Sequence, residues 1–243
     1  MFVSKNLMKV LFIASYSGTS GANQSLVTMV RLLRKKGIQP LILLPQGGPL
    51  EQILKENNIP YKKMRIFSWV TPLNKYSLLK ERIKWILKKT INMLQEIRIM
   101  LLVKKENIDL VHINAITIGA GYYAAKINNI PIVWHVREFL EEDLGKEFWN
   151  RKEALNRVSQ ADAIVAISDS IKNKYSKLIK SDKLVRIYNG IEIEDYKNIQ
   201  NKIFNNNQIN LTLAGRLVQN KGHEDAIYAL SNLTENNLQE AVK

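Results

Sequence analysis

From Lys9 onward, short apolar runs alternate with segments of helical period, and this alternation restricts the chain to one class of architecture. The runs are KVLFIAS, QPLILLP, IPYKKM, DLVHIN, IPIVWHV, DAIVAIS and KLVRIYNG. Most are apolar without a polar alternate, as strands buried on both faces are. Between the first two, NQSLVTMVRLLRKKG places Leu26, Val27, Val30 and Leu33 on one helical face and stops at Gly37. PLEQILKENN, residues 77–106, residues 117–128, EFWNRKEALNRVSQ and DSIKNKYSKLI read as further helices. Strands separated by helices predict an α/β fold, a doubly wound, Rossmann-like parallel sheet, over residues 1–195. Residues 196–207, rich in Asn and Lys, read as a linker. QINLTLAG and KGHEDAIYALSNLT then begin a fresh strand and helix within 208–243. One βα unit cannot bury both its faces alone, so this tail is expected to be loosely held or packed on a partner.

Composition removes several function classes. The 243 residues include no cysteine, which excludes thiolate catalysis, disulfides and cysteine-held metal sites and suits a reducing cytosol. The three histidines, 112, 135 and 223, have no ligand spacing, and there is no Asp-x-Asp pair, so no metal site is expected. The N-terminal VLFIA is too short for an exported signal and reads as a strand, and no run approaches the ~20 apolar residues that span a bilayer. The net charge is +14, and residues 62–105 hold twelve Lys/Arg against two Glu. Such a local excess points to an anionic partner.

Ligands of open parallel sheets sit beyond the carboxyl ends of the strands. In SYSGTSGANQSL, Gly18 and Gly21 permit a tight turn, Asn23 follows, and the helix starting near Ala22 aims free N–H groups at a phosphate or sugar oxygen. A plain strand–helix loop is the alternative. IVWHVREF places His135 at a strand end, able to donate a hydrogen bond or relay a proton, with Arg137 and Glu138 just beyond; Glu138 is suited to orient a hydroxyl. His112 and Asn114 end the neighbouring strand, with His112 the better packing residue. Ser168 and Asn189 occupy equivalent positions after the last two strands, Asn189 within an Asn-Gly turn. GRLVQNKG sets Arg216 and Lys221 across a turn at a helix start, an arrangement that suits a diphosphate. GAGYYA, from Gly119 to Ala124, matches G-x-G-x-x-A with Glu138 19 residues after Gly119, which keeps a nicotinamide oxidoreductase open. Against it, AITI intervenes between strand and glycines, and small residues within a helix also serve close packing.

In the basic helix, Leu79, Ile83, Ile86, Leu87, Leu94, Ile97 and Leu101 recur at helical spacing, an apolar stripe expected to pack on the sheet. Lys80, Arg82, Lys84, Lys88 and Lys89, with Trp85 as interfacial aromatic, suit an anionic membrane surface at about 1 kcal/mol per nearby cation. Nucleic acid is not expected, since no groove-reading or base-stacking module accompanies them.

KVLFIASYSGTSGANQSL, VHINA, IPIVWHVREF, ADAIVAISDSIK, VRIYNGIE and AGRLVQNKGHEDAIYAL, in this order, resemble a family 4 glycosyltransferase of the two-Rossmann-domain GT-B type. The resemblance implies transfer of a sugar from a nucleotide-sugar donor to a glycan or lipid-linked acceptor, with retention of configuration and without cofactor or required metal. Arg216 and Lys221 would hold the donor diphosphate, Gly21 would bring the loop close to it, and His135 would touch the transferred sugar or acceptor. The acceptor would lie on the N-terminal domain, with the protein cytoplasmic and peripheral on the inner face of the cell membrane. The family also carries two glutamates, seven residues between them, deep in its second domain. No pair with that spacing follows Lys221 here, so the chain is expected to be a fragment, weak or inactive without a second chain. A non-catalytic module that binds an acceptor or partner is the other reading left open.

Overall fold

The structure, a computed structural model, describes residues 7–74, 79–191, 204–205, 208–209, 211–215, 217 and 221–235. The chain divides into two compact units, Met1–Ile191 and Glu192–Lys243.

The first unit opens with β1 (Lys9–Ile13), α1 (Gly21–Lys35), β2 (Gln39–Leu44), α2 (Pro49–Glu56), β3 (Tyr61–Lys63), β4 (Val70–Pro72) and α3 (Leu79–Lys105). It continues with β5 (Leu110–Ile113), α4 (Tyr122–Ile127), β6 (Ile132–Val136), β7 (Lys146–Phe148), α5 (Arg151–Ser159), β8 (Ala163–Ala166), α6 (Asp169–Ser176) and β9 (Leu184–Arg186). Seven strands form one sheet in the order β3-β2-β1-β5-β6-β8-β9, and every pairing in it is parallel. All seven fall within the apolar runs read from the sequence. The strand order reverses between β1 and β5, the switch point at which a crevice opens outside the carboxyl ends.

Each face has its own core. Val10, Phe12, Ile42 and Leu44 pack under α1 and α2 with Leu26, Val30, Leu50 and Leu54. Leu11, Ile13, Val111, Ile113, Trp134 and Val136 face the opposite way, under α3 to α6. Full burial of a Leu or Ile such as Leu26 or Ile42 contributes about 1.5–3 kcal/mol. The first two crossovers are tied together at the carboxyl edge. Ser17 Oγ donates to Gln46 O at 2.7 Å, and Leu50 N donates to Ser17 O at 2.9 Å. A Cβ at Gly48 would sit 2.5 Å from that same Ser17 carbonyl oxygen, so only glycine fits.

Three expectations for this unit are corrected. The helix expected over 117–128 begins at Tyr122, because Gly121 adopts a left-handed conformation with φ 88° and acts as its N-cap. The segment EFWNRKEALNRVSQ is not helical throughout: Lys146–Phe148 pairs antiparallel with Val70–Pro72, and α5 starts only after Asn150, whose side chain caps it. The stripe expected to pack on the sheet faces away from it. Leu79, Ile83, Ile86, Leu87, Leu94, Ile97 and Leu101 are all exposed, while Gln95, Ile99, Leu102 and Val103 of α3 are buried. This helix is apolar on two opposite faces, and the sheet takes the narrower one.

In the second unit, β10 (Phe204–Asn205) and β11 (Gln208–Ile209) form an antiparallel hairpin, and α7 (His223–Glu235) follows Gly222. Residues 211–214 have no regular structure, so the strand expected in QINLTLAG is reduced to β11. An extended segment without a ladder partner has no hydrogen bonds to hold it as a strand.

Candidate active site

The carboxyl edge of β5 and β6 carries a buried polar cluster centred on Arg137. Residues His135 and Arg137 lie two apart and so share one face of β6 and its extension. Arg137 Nε donates to Asn114 Oδ1 at 3.2 Å, and its Nη1 donates to Ser25 Oγ at 3.1 Å and to Asn189 Oδ1 at 2.8 Å. Ser25 Oγ itself donates to Asn189 Oδ1 at 2.9 Å. Arg137 Nη2 lies 3.1 Å from His135 Nδ1. A guanidinium has no acceptor, so Nδ1 must accept, and the imidazole proton resides on Nε2. Burial, then the neighbouring Arg137 charge and His112, push His135 down to about 2, so it is neutral across the physiological range. Its Nε2 is buried and has no hydrogen-bond partner among the described residues. Burial lowers Arg137 to about 10, which leaves it cationic at neutral pH. The cluster therefore holds one fixed positive charge and, on His135, one buried neutral N–H donor without a partner among the described residues.

His112 packs beside it, its ring 5.5 Å from His135 and 5.1 Å from Phe12, and burial holds it down to about 3. It packs there, but its buried Nδ1 also has no hydrogen-bond partner among the described residues. Asn114 is buried, and its Nδ2 donates to Ala22 O at 3.4 Å, which links β5 to the start of α1. Glu138 lies past Arg137, where burial raises it to about 7 against the lowering effect of Arg137. One of its oxygens, Oε2, is buried without a partner among the described residues.

The β1–α1 loop lies at the switch point. Ser20 caps α1, its Oγ accepting from Asn23 N at 3.3 Å. Around Gly21 the described structure is open: an added Cβ would meet none of the described residues within 4 Å. Gly18 differs, since a Cβ there would strike the exposed Tyr16 ring. Asn23 is buried, and its Nδ2 donates to Tyr16 O at 2.9 Å and Gly18 O at 2.7 Å. It shapes the loop from within. Ser168 caps α6 by accepting from Ile171 N at 3.2 Å, and Asn189 presents its oxygen to the Arg137 cluster.

The structure thus brings Asn114, His135 and Asn189 together around Arg137, which the sequence reading passed over as a site residue. Its signal was available: an arginine at the same strand parity as His135. Of the pair expected to hold a diphosphate, Arg216 lies outside the described residues. Lys221 is exposed in the second unit, just before α7. Among the described residues, no three His, Asp or Glu side chains come together as a metal set.

The glycine-rich match at Gly119–Ala124 has a different occupant from the one a dinucleotide site needs. Glu96 of α3 accepts from Gly121 N at 2.7 Å and from Ala124 N at 3.0 Å, so a protein carboxylate caps α4. The oxidoreductase alternative therefore loses the turn on which it stood.

Comparison with known proteins decides the family. The sequence profile described as Glycosyltransferase Family 4 matches residues 19–195. The chain belongs to Glycosyltransferase Family 4. Its fold is similar to that of Anabaena HepE, at 19% identity and TM-score 0.57, over 97% of this chain and 68% of HepE. A glycosyltransferase of Rickettsia africae is similar at 18% identity and TM-score 0.63, over 95% of this chain and 58% of the other. MurG of Acinetobacter baumannii is similar at 17% identity and TM-score 0.50, over 80% of this chain and 50% of that enzyme. No curated protein sequence matches the chain. At these identities the solved structures speak for the fold, an α/β Rossmann-like sheet of GT-B type.

Proposed function

We propose that this family member transfers a sugar from a nucleotide-sugar donor to a glycan or lipid-linked acceptor, with retention at the anomeric carbon and without a required metal. The observation that carries it is the uncommitted Nε2–H of a neutral His135, held by Arg137 at the carboxyl edge of the sheet. A neutral donor can hydrogen-bond a sugar hydroxyl without being titrated by it, and the adjacent cation favours an anionic ligand. Nucleotide-sugar as the donor class is supported by HepE, whose structures contain UDP-glucose, UDP, or UDP and glucose.

In this reading His135 contacts the transferred sugar or the acceptor hydroxyl, and Glu138 orients a hydroxyl. The open surroundings of Gly21 admit a ligand to the loop backbone. Asn23, Asn114, Ser168 and Asn189 fix the loops and the arginine around that site. Arg216 and Lys221 hold the donor diphosphate and stabilise the charge that develops as it leaves. Calorimetric titration of UDP-glucose tests this assignment. Arg216→Ala/Lys221→Ala is expected to weaken binding at least tenfold; unchanged affinity would remove the pair from the donor site.

The acceptor side is proposed to work at an anionic membrane surface, on the cytoplasmic side. No helix among the described residues is long and apolar enough to cross a membrane. The outer face of α3 favours peripheral contact: its exposed leucines and isoleucines are flanked by Lys80, Arg82 and Lys84, all exposed. The same excess of cations disfavours self-pairing of two such helices, which would oppose like charges.

A further inference from the structure

On the face of the sheet opposite His135, α3, α4, α5 and the segment before β4 close around a cavity of about 210 Å³. Its walls are aromatic: Trp69, Trp85, Trp149 and Tyr123. Trp85 and Trp149 stack with ring centroids 5.5 Å apart. Trp69 is fixed by its indole N–H, which donates to Ile116 O at 2.7 Å, and it stacks on Trp134 at 5.6 Å. These walls are therefore built and braced, and Trp85 is turned towards Trp149 instead of joining the exposed outer stripe of α3.

Cations prevail in the lining. Lys89 lies 5.1 Å from the Trp85 ring centroid, Lys88 lies 6.0 Å from that of Phe67, and the Arg157 guanidinium covers Tyr123 at 4.4 Å. Of the two carboxylates present, Glu153 is paired with Arg157. Both oxygens of Glu96 accept backbone N–H groups of α4, and burial raises its carboxyl to about 7, so it is a weak counter-charge. The cavity is smaller than the ~300–1,000 Å³ usual for a drug-sized ligand, which leaves room for one ring and excludes a nucleotide-sugar. Trp69 is covered by Trp134 and Arg157, and Trp85 by Trp149 and Lys89. Trp149, which also lines the cavity, has an indole face suited to the C–H face of a sugar ring, and the Lys88 and Lys89 ammonium groups suit its charge.

We propose that this cavity is a subsite for one anionic sugar ring, a hexuronate or a phosphorylated hexose, belonging to the acceptor glycan and held away from the transfer site. As acceptor binding it rests on the glycosyltransferase reading; as a carbohydrate site it stands apart from it.

Three of the chain's four tryptophans line the cavity, so intrinsic fluorescence reports occupancy directly. The full chain is titrated with a hexuronate disaccharide, glucose 6-phosphate, a neutral glucose disaccharide and inorganic phosphate. A saturable change is expected with the hexuronate, the sugar phosphate or both, and which of them binds identifies the source of the charge. Affinity should exceed that for the neutral sugar at least tenfold. Lys88→Gln/Lys89→Gln should weaken it at least tenfold at unchanged Tm, and Trp149→Phe should preserve it better than Trp149→Ala. Saturating UDP-glucose should not compete. No saturable change, equal binding of neutral sugar or of inorganic phosphate, competition by UDP-glucose, or displacement by phosphatidylglycerol vesicles would each overturn the assignment. Loss of UDP-glucose binding alone would count against the donor reading and leave this site standing.

Discussion

Arg137 donates to His135 Nδ1 at 3.1 Å and thereby fixes which nitrogen of the imidazole carries the proton. Two residues apart on one face of β6 and its extension, they are a buried cation and a neutral imidazole. Protonating His135 would cost twice, since the imidazolium would be desolvated and would lie against a guanidinium.

The histidine Cε1 resonances check this. Those of His112 and His135 should not titrate between pH 5 and 8, because both pKa values are depressed, to about 3 and about 2. For a base depressed below its unfolded value, the unfolded chain takes up protons first. These two residues should therefore lower stability as pH falls below about 6.5. A midpoint near 6.5 for either resonance would contradict the burial argument.

Arg137→Ala leaves His135 Nδ1, Asn114 Oδ1 and part of Asn189 without their donor. A cost of about 2–4 kcal/mol is expected in chemical denaturation. Arg137→Lys keeps the charge but not the fork, so it should recover only part of that stability.

Glu96 has the opposite pH sign to the histidines. Its carboxyl is raised to about 7, so folding opposes its ionisation and its contribution is lost as pH rises through that range. Relative to wild type, Glu96→Gln should therefore gain between pH 5 and 8, by a change on the order of 3 kcal/mol across the interval. The absolute stability of the variant is a poorer readout, because Gln replaces only one of the two acceptors that cap α4.

The two faces of α3 should separate stability from membrane contact. Ile99→Ala on the buried face should cost about 2–4 kcal/mol. Leu94→Glu/Ile97→Glu on the exposed face should change stability by about 0.5 kcal/mol or less, yet abolish co-sedimentation with phosphatidylglycerol vesicles. Binding equal to wild type would remove α3 from the membrane surface.

The sheet was legible in the sequence because strands buried on both faces read as unbroken apolar runs, and KVLFIAS, DLVHIN and DAIVAIS differ sharply from the helices between them. The orientation of α3 was not. Ile83, Leu94 and Leu101 match helical spacing as well as Ile99, Leu102 and Val103 do, and periodicity alone cannot say which face meets the sheet. The β4–β7 pair escaped because three-residue strands carry too little pattern, and its partners lie more than seventy residues apart. At the site, His135 was visible as a strand-end histidine. The hub at Arg137 depends on Ser25, Asn114 and Asn189 from three other segments, and that convergence exists only in the fold.

The most direct measurement is the rate of UDP release from UDP-glucose by wild type and His135→Ala at matched folding, judged by near-ultraviolet circular dichroism. A fall of at least tenfold is expected if, as proposed, His135 contacts the transferred sugar or the acceptor hydroxyl. An unchanged rate would contradict the account by showing that the uncommitted N–H of His135 faces no reacting group.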